Sequence, residues 1–368
     1  MLTHSSIGIP KPGLLRFADP ALNQETPPHL LSAPLTPRDL FFVRNNGTLP
    51  EAPANAGQEW RLDITGHVRS ELSLSVNALR SRFETVEVTA VLECAGNGRS
   101  RFVPPVPGLP WGDGAVGCAR WTGIRMADVL AEAGVRAGAI YVAHHSPDHV
   151  VGAPGQPALS RGLPIAKALA RETLLAFAMN GEPLDPLHGF PLRVVAPGFP
   201  GSAWQKWLTR LEVLDREHDG AKMTGLDYRM PRRPLQPGTP PDPADFEIIT
   251  GMPVKSLITE PAQDFCGNGS ITIAGHAWGG GVPIDRVEVS ADAGANWHAA
   301  ALEENQGDAS DVWAWRRFTA CLSLPPAGEV ELLARATNRA GSTQPLLPEW
   351  NPRGYLNNAV HRVRGRVV

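Results

Sequence analysis

The chain has 368 residues, 42% of them hydrophobic and 19% charged, with a formal net charge of −3. That length suits two domains and the composition is that of a globular protein. The near-neutral balance excludes a basic nucleic-acid surface, and no run approaches the roughly 20 apolar residues of a membrane helix.

In chain order, the start (residues 1–10) has no basic run before an apolar core and no twin arginine. A cytoplasmic location is therefore the default expectation, with a periplasmic one only if a leader has been removed. Residues 86–92 are rich in β-branched side chains and predict a strand running towards Cys94. Residues 121–134 predict a helix ended by Gly134, and 165–179 one or two helical segments ended by Asn180-Gly181. Residues 191–196 and 208–214 predict buried strands. Residues 231–243 form an extended proline-rich connector, which places a domain boundary near residue 245. Beyond it, residues 270–274, 284–290, 312–318 and 329–336 are strand-like at sandwich spacing. The expected architecture is α+β: a mixed domain over 1–245, then an immunoglobulin-like all-β sandwich over 246–368.

The four cysteines, Cys94, Cys118, Cys266 and Cys321, form no C-x-x-C pair. That argues against structural zinc, an iron–sulfur cluster or an attached c-type haem. Free thiols are expected in a reducing compartment, and Cys118, Cys266 and Cys321 are expected to be small buried hydrophobes. The segment Leu92-Glu-Cys-Ala-Gly-Asn-Gly-Arg-Ser100 carries a cysteine from a strand end into a glycine-rich turn, with Arg99 five residues on. A fixed direction and a nearby cation suit a metal-bound or nucleophilic thiolate, although spacing alone equally fits a buried cysteine before a turn. The glycines make no dinucleotide fingerprint. His144-His145-Ser-Pro-Asp148-His149 has no diagnostic metal spacing and is expected to be a loop.

The Cys-Ala-Gly-Asn segment followed by an arginine resembles the molybdenum-ligand motif of the sulfite oxidase family. Further segments resemble that family in order: Phe41-Phe-Val-Arg-Asn45, Gly108-Leu-Pro-Trp111, Ala119-Arg-Trp-Thr-Gly123, Met179-Asn-Gly181, the stretch His188 to Val195, Lys206-Trp207 and Asp227-Tyr-Arg229. The second domain continues with Gly275-His-Ala-Trp-Gly-Gly280, Trp313-Ala-Trp-Arg316 and Trp350-Asn-Pro-Arg-Gly354.

The resemblance implies a molybdenum-molybdopterin (pyranopterin dithiolene) cofactor, with Cys94 as the protein's sulfur ligand to the metal. It implies pterin contacts from Phe42, Val43, Arg44, Asn45, Asn46, Asp148, His188, Arg193, Trp204, Gln205 and Lys206. It implies an oxyanion pocket from Arg44, Arg99, Arg316, Tyr228 and Trp111; guanidinium is planar, permanently charged and bidentate towards oxyanions. Because strand alternation sends Arg316 and Arg317 to opposite faces, only one of them can line that pocket. Two departures stand out: Asn46 replaces a histidine of the animal members, and Gly98-Arg99 replaces two adjacent arginines.

The implied activity is oxidation of sulfite to sulfate by oxygen transfer at the metal. Electrons pass to an external acceptor: a cytochrome, another carrier or oxygen. The sandwich implies a homodimer, and neither nucleic acid nor a membrane is expected as partner. A nitrate reductase-like reaction, or one on another oxyanion or a sulfoxide, is the alternative within the enzyme class. A cofactor-free binding protein on the same scaffold is the alternative outside it.

Overall fold

The computed structural model describes residues 10–304 and 312–368. The first half builds two five-stranded sheets. One is antiparallel throughout, in the order Glu182–Pro183, Leu174–Met179, Val116–Arg125, Thr85–Glu93, with Arg193–Val195 also paired to Leu174–Met179. The other runs Leu72–Ser75, Arg61–Gly66, Arg210–Leu214, Tyr141–His145, Gly162–Pro164. Only its Arg61–Gly66 and Arg210–Leu214 strands are parallel.

Short helices cover the sheets. Val76–Arg82 starts where the Ser75 side chain accepts a hydrogen bond from the Ala78 amide. Met126–Ala133 buries Met126, Val129, Leu130 and Ala133, one face at helical spacing, and stops at Gly134 with φ 70°. One continuous apolar core, including Trp121, Trp204, Trp207 and Leu211, fills the space between these elements.

The second half is a β-sandwich. Lys255–Glu260, Ser270–Trp278, Arg316–Ser323 and Ala301–Leu302 form one sheet. Phe265–Gly267, His361–Val367, Gly328–Asn338, Ile284–Ser290 and His298–Ala299 form the other. Alternate residues of both sheets, among them Ile273, Phe318, Val287, Val289, Leu332 and Ala334, make its separate core. Mixed helix–strand packing followed by a sandwich is the expected fold class.

The two halves meet over a third cluster of Leu31, Val91, Val116, Cys118, Leu257, Trp278 and Trp315. Beside it Lys255 Nζ lies 2.6 Å from Glu93 Oε1, and Trp278 Nε1 donates to Glu93 Oε2 at 2.9 Å. Glu93 immediately precedes Cys94, so this buried ion pair ties the cysteine's turn to the sandwich. Among the described residues no helix is long and apolar enough to cross a membrane.

Several local expectations need correction. Residues 121–125 end a strand, and the helix begins only at Met126. Of 165–179, Ile165–Ala168 is one helical turn and Leu174–Met179 is a strand. An unbroken apolar run cannot separate strand from buried helix by period. Asn180-Gly181, at φ 54° and 83°, closes a hairpin rather than capping a helix. The strand expected over 312–318 begins at Arg316 and runs to Ser323. The proline-rich connector is a loop between paired strands Arg229–Pro231 and Phe246–Ile248. His144 and His145 end a strand rather than lying in a loop. All four cysteines are free, but Cys266 and Cys321 are exposed and only Cys118 and Cys94 are buried. Cys321 faces outward because strand alternation turns Phe318 and Leu322 into the core instead.

Candidate functional site

Cys94 follows the strand Thr85–Glu93 and opens a tight turn in which the Asn97 amide bonds the Cys94 carbonyl at 2.9 Å. The Asn97 side chain holds that turn from both ends, donating to Glu93 Oε1 at 3.0 Å and accepting from the Ala115 amide at 3.0 Å. Gly98 adopts φ 84°, a Cβ there would sit 3.0 Å from Asn357, and the Asn357 amide bonds the Gly98 carbonyl at 2.8 Å. The crowded, left-handed turn explains why a large side chain is absent at this position.

Two clefts open on either side of Cys94. Phe42, Arg44, Asn46, Asp148, His188, Ser202, Trp204, Gln205, Lys206 and Tyr228 are on the walls of the first. The second is lined by Arg44, Arg99, Trp111, Lys222, Asp227, Tyr228, Arg353 and Tyr355. Only Arg44, Cys94 and Tyr228 belong to both. Cys94 therefore stands where a long cavity meets a strongly cationic pocket.

In the second pocket four cations face one carboxylate. Arg353 pairs with Asp227 at 2.9 Å. Arg99 donates to the Arg353 carbonyl at 2.9 Å and the Leu109 carbonyl at 3.0 Å, and lies 5.2 Å above the Tyr355 ring. Its guanidinium occupies a slot that Cβ atoms at Gly96, Gly108 or Gly354 would invade. Asn46 gathers the cations: its Oδ1 accepts from Arg44 Nη2 at 2.9 Å, Lys222 Nζ at 2.7 Å and the Tyr228 hydroxyl at 3.5 Å. Trp111 is fully buried behind Phe17 and Phe42.

In the first cleft, His188, Arg193 and Lys206 converge. The Arg193 guanidinium donates to the carbonyls of His188 at 2.8 Å and Trp204 at 3.1 Å, so it frames the wall. Lys206 Nζ bonds the Leu187 carbonyl at 2.8 Å and Asn45 Oδ1. Burial pushes Arg193 down to about 9, and burial with neighbouring cations holds Lys206 and His188 well below their ordinary ranges. Burial raises Asp148, against a hydrogen bond from Ser146. Gln205 Nε2 donates to Ser146 Oγ at 2.6 Å. A buried concentration of cations this unfavourable suits a bound polyanion.

Most expected residues come together here, with exceptions. Val43 is buried in backbone pairing with Gln24 and lines neither cleft. Asn45 acts from behind, through Lys206 and the carbonyl of Leu22. Arg316 is a correction: its guanidinium bonds the carbonyls of Glu303 and Ile284 on the sandwich, where its strand lies. Arg317 pairs with Glu303 and is no substitute. The second half's contribution is instead Arg353, with Tyr355. Sequence reading quoted Trp350-Asn-Pro-Arg-Gly354 without giving its arginine a role. Asp227 stood in the motif Asp227-Tyr-Arg229 without a role of its own, and Lys222 and Ser202 were missed outright. Lys222 takes a left-handed backbone, φ 64°, that spacing cannot reveal.

Pterin dithiolene cofactors fit these walls. Among the described residues Ser202 Oγ, buried on the first cleft, has no hydrogen-bond partner, the basic side chains there outnumber the one carboxylate, Asp148, and a soft thiol waits at the cleft's end. Among the described residues no cluster of three or more His, Cys, Asp or Glu is placed to hold a metal alone. A metal at Cys94 would need most of its ligands from the cofactor.

Comparison with known proteins gives the same picture. The family profile "oxidoreductase molybdopterin binding domain" matches residues 47–222, and "Mo-co oxidoreductase dimerisation domain" matches 246–367. Mouse mitochondrial sulfite oxidase is 38% identical over 94% of this chain, which spans 64% of the mouse protein. Arabidopsis thaliana sulfite oxidase is 35% identical, with 96% of this chain and 93% of that one covered. Among solved structures, the sulfane dehydrogenase SoxCD from Paracoccus pantotrophus superposes with a TM-score of 0.78 at 26% identity, covering 98% of this chain and 91% of that one.

Proposed function

The chain belongs to the sulfite oxidase family of molybdopterin-binding oxidoreductases, and from that premise we propose that it oxidises sulfite to sulfate and passes the electrons to an external acceptor. The observation that carries this reading is Cys94 at the junction of an anion-seeking cofactor cleft and a pocket of four cations. Cys94 would ligate the molybdenum, and Phe42, Asn46, Asp148, His188, Ser202, Trp204, Gln205 and Lys206 would hold the pterin. When bound, the molybdopterin cofactor supplies a two-electron redox centre and the oxygen atom that passes to sulfur. The net reaction is sulfite plus water giving sulfate, two protons and two electrons.

The protein's contribution is placement of charge. Arg44, Arg99, Lys222 and Arg353 would draw in a dianion and orient its oxygens away from the reacting face. Asp227 fixes Arg353, and the glycine slot fixes Arg99, so little ordering remains when substrate enters. The Tyr228 hydroxyl, on the wall of both clefts and 3.5 Å from Asn46 Oδ1, would offer the substrate a hydrogen-bond donor. Trp111 excludes water from one wall. We further propose that the chain divides into 1–245 and 246–368 and that the sandwich joins two copies into a homodimer.

Steady-state assays of the molybdenum-loaded protein test the reading. Sulfite should reduce an added acceptor, with one sulfate formed per electron pair. Reduction of nitrate by a reduced dye at a higher kcat/KM than sulfite oxidation would overturn it.

A further inference from the structure

Behind His188, which lines the first cleft, stands a further cation, Lys11, from outside the segment that the molybdopterin-domain profile covers. Lys11 lies on the N-terminal segment, 36 residues before that match begins at 47. Its ammonium donates to the carbonyl of Phe41 at 3.1 Å and to the carbonyl of Arg38, and it lies 2.6 Å from His188 Nε2. The segment is held in place by a two-way clasp: the Lys11 amide donates to Gln24 Oε1 at 2.8 Å, and Gln24 Nε2 returns to the Lys11 carbonyl at 2.9 Å. Gln24 in turn exchanges backbone hydrogen bonds with Val43, one residue from Arg44 on the cleft.

Lys11 and Lys206 flank the same turn, Lys206 on the Leu187 carbonyl and Lys11 on the His188 ring. Among the described residues neither forms an ion pair with a carboxylate; Asp185 lies 3.8 Å from His188 Nε2, and Asp39 and Asp148 act on them only through space. Two such ammonium groups on one turn, neither in contact with a carboxylate, are costly to bury and gain from an added anion. Burial lowers Lys11 to about 8, against the opposing pull of Asp185 and Asp39. A phosphate monoester carries nearly two charges and three acceptor oxygens, enough for both.

We propose that Lys11 is a cofactor-binding residue, completing with Lys206 and the Leu187–His188 turn a cradle for the phosphate of the pterin, so that the N-terminal segment closes over the cofactor. On phosphate binding the ammonium turns from the imidazole to an oxygen; no covalent bond changes. The inference rests on the cofactor assignment and is independent of the sulfite reading.

The test compares wild type, Lys11→Met and Lys11→Arg, purified with cofactor loaded. Molybdenum and pterin per chain are followed during dialysis, alongside the melting temperature of loaded and cofactor-free protein. Loss of a charged hydrogen bond should make cofactor release from Lys11→Met roughly ten- to hundredfold faster. Its cofactor-free melting temperature should not fall, and Lys11→Arg should restore retention. Loaded protein should also resist proteolysis near residue 11 more than cofactor-free protein does, a difference that shrinks in Lys11→Met. Equal retention in all three proteins would overturn the proposal. So would an equal fall in melting temperature with and without cofactor, which marks a purely structural contact. Absence of pterin from wild type made in cofactor-competent cells would overturn the cofactor assignment as well.

Discussion

Substituting Cys94 by serine keeps size and burial but exchanges a soft, acidic sulfur for a hard, weakly acidic hydroxyl. Cys94→Ser should abolish turnover, with an unchanged far-ultraviolet circular dichroism spectrum; near-normal kcat with metal bound would remove Cys94 from the reaction. The two candidate arginines from the second half separate just as clearly. Arg353→Ala should lower kcat/KM for sulfite roughly ten- to hundredfold through loss of a charged contact. Arg316→Ala, whose side chain bonds carbonyls on the sandwich, should change it less than about twofold; the opposite ranking in steady-state kinetics would return Arg316 to the pocket. Glu25 offers a pH test. Its carboxylate accepts from the Gly112 amide at 2.7 Å, and burial raises it from the ordinary 4.5 to about 7. With the folded value above the unfolded one, its contribution is fully present below 4.5 and is lost as pH rises through 7. Glu25→Gln, a mimic of the protonated form, should therefore gain on wild type in denaturant melts between pH 5 and 8, by on the order of 1–3 kcal/mol.

Among the elements, the strand Thr85–Glu93 does the most, because its last residue enters a buried ion pair and the next is Cys94. Removing one partner of such a pair leaves an uncompensated charge and costs roughly 3–5 kcal/mol. Lys255→Met should thus lower stability by about that much, while Glu93→Gln with Lys255→Met should recover part of it; additive losses in urea melts would show that the pair is not coupled. This strand was legible in the sequence because it is rich in β-branched residues, and the sandwich strands Ile284–Ser290 and Gly328–Asn338 were legible too. Leu174–Met179 was not: buried on both sides, it has no period to read. The same limit governs the site. Cys94, Arg44, Arg99 and Tyr228 sit in recognisable motifs, whereas Lys222 and Ser202 reach the clefts, and Lys11 reaches His188, along paths that depend on the folded whole.

At the scale of the molecule, neither half holds a complete pocket. Arg353, Tyr355 and the Asn357 that steadies Gly98 all come from beyond residue 245. Ending the chain at 245 should yield protein with kcat/KM for sulfite reduced more than a hundredfold, and monomeric in analytical ultracentrifugation. A dimer would place the contact between copies in the first half, and retained activity would free the pocket from the second. The ion pair at Glu93 also bears on how such proteins can be recombined. A chimera that joins the first half of this chain to the sandwich of a relative inherits a carboxylate whose partners, Lys255 and Trp278, lie on the discarded side of the join. Unless the donor carries both, the misfit falls one residue from Cys94. The halves are therefore portable only as a matched set, and the junction's compatibility is decided by three side chains rather than by overall likeness.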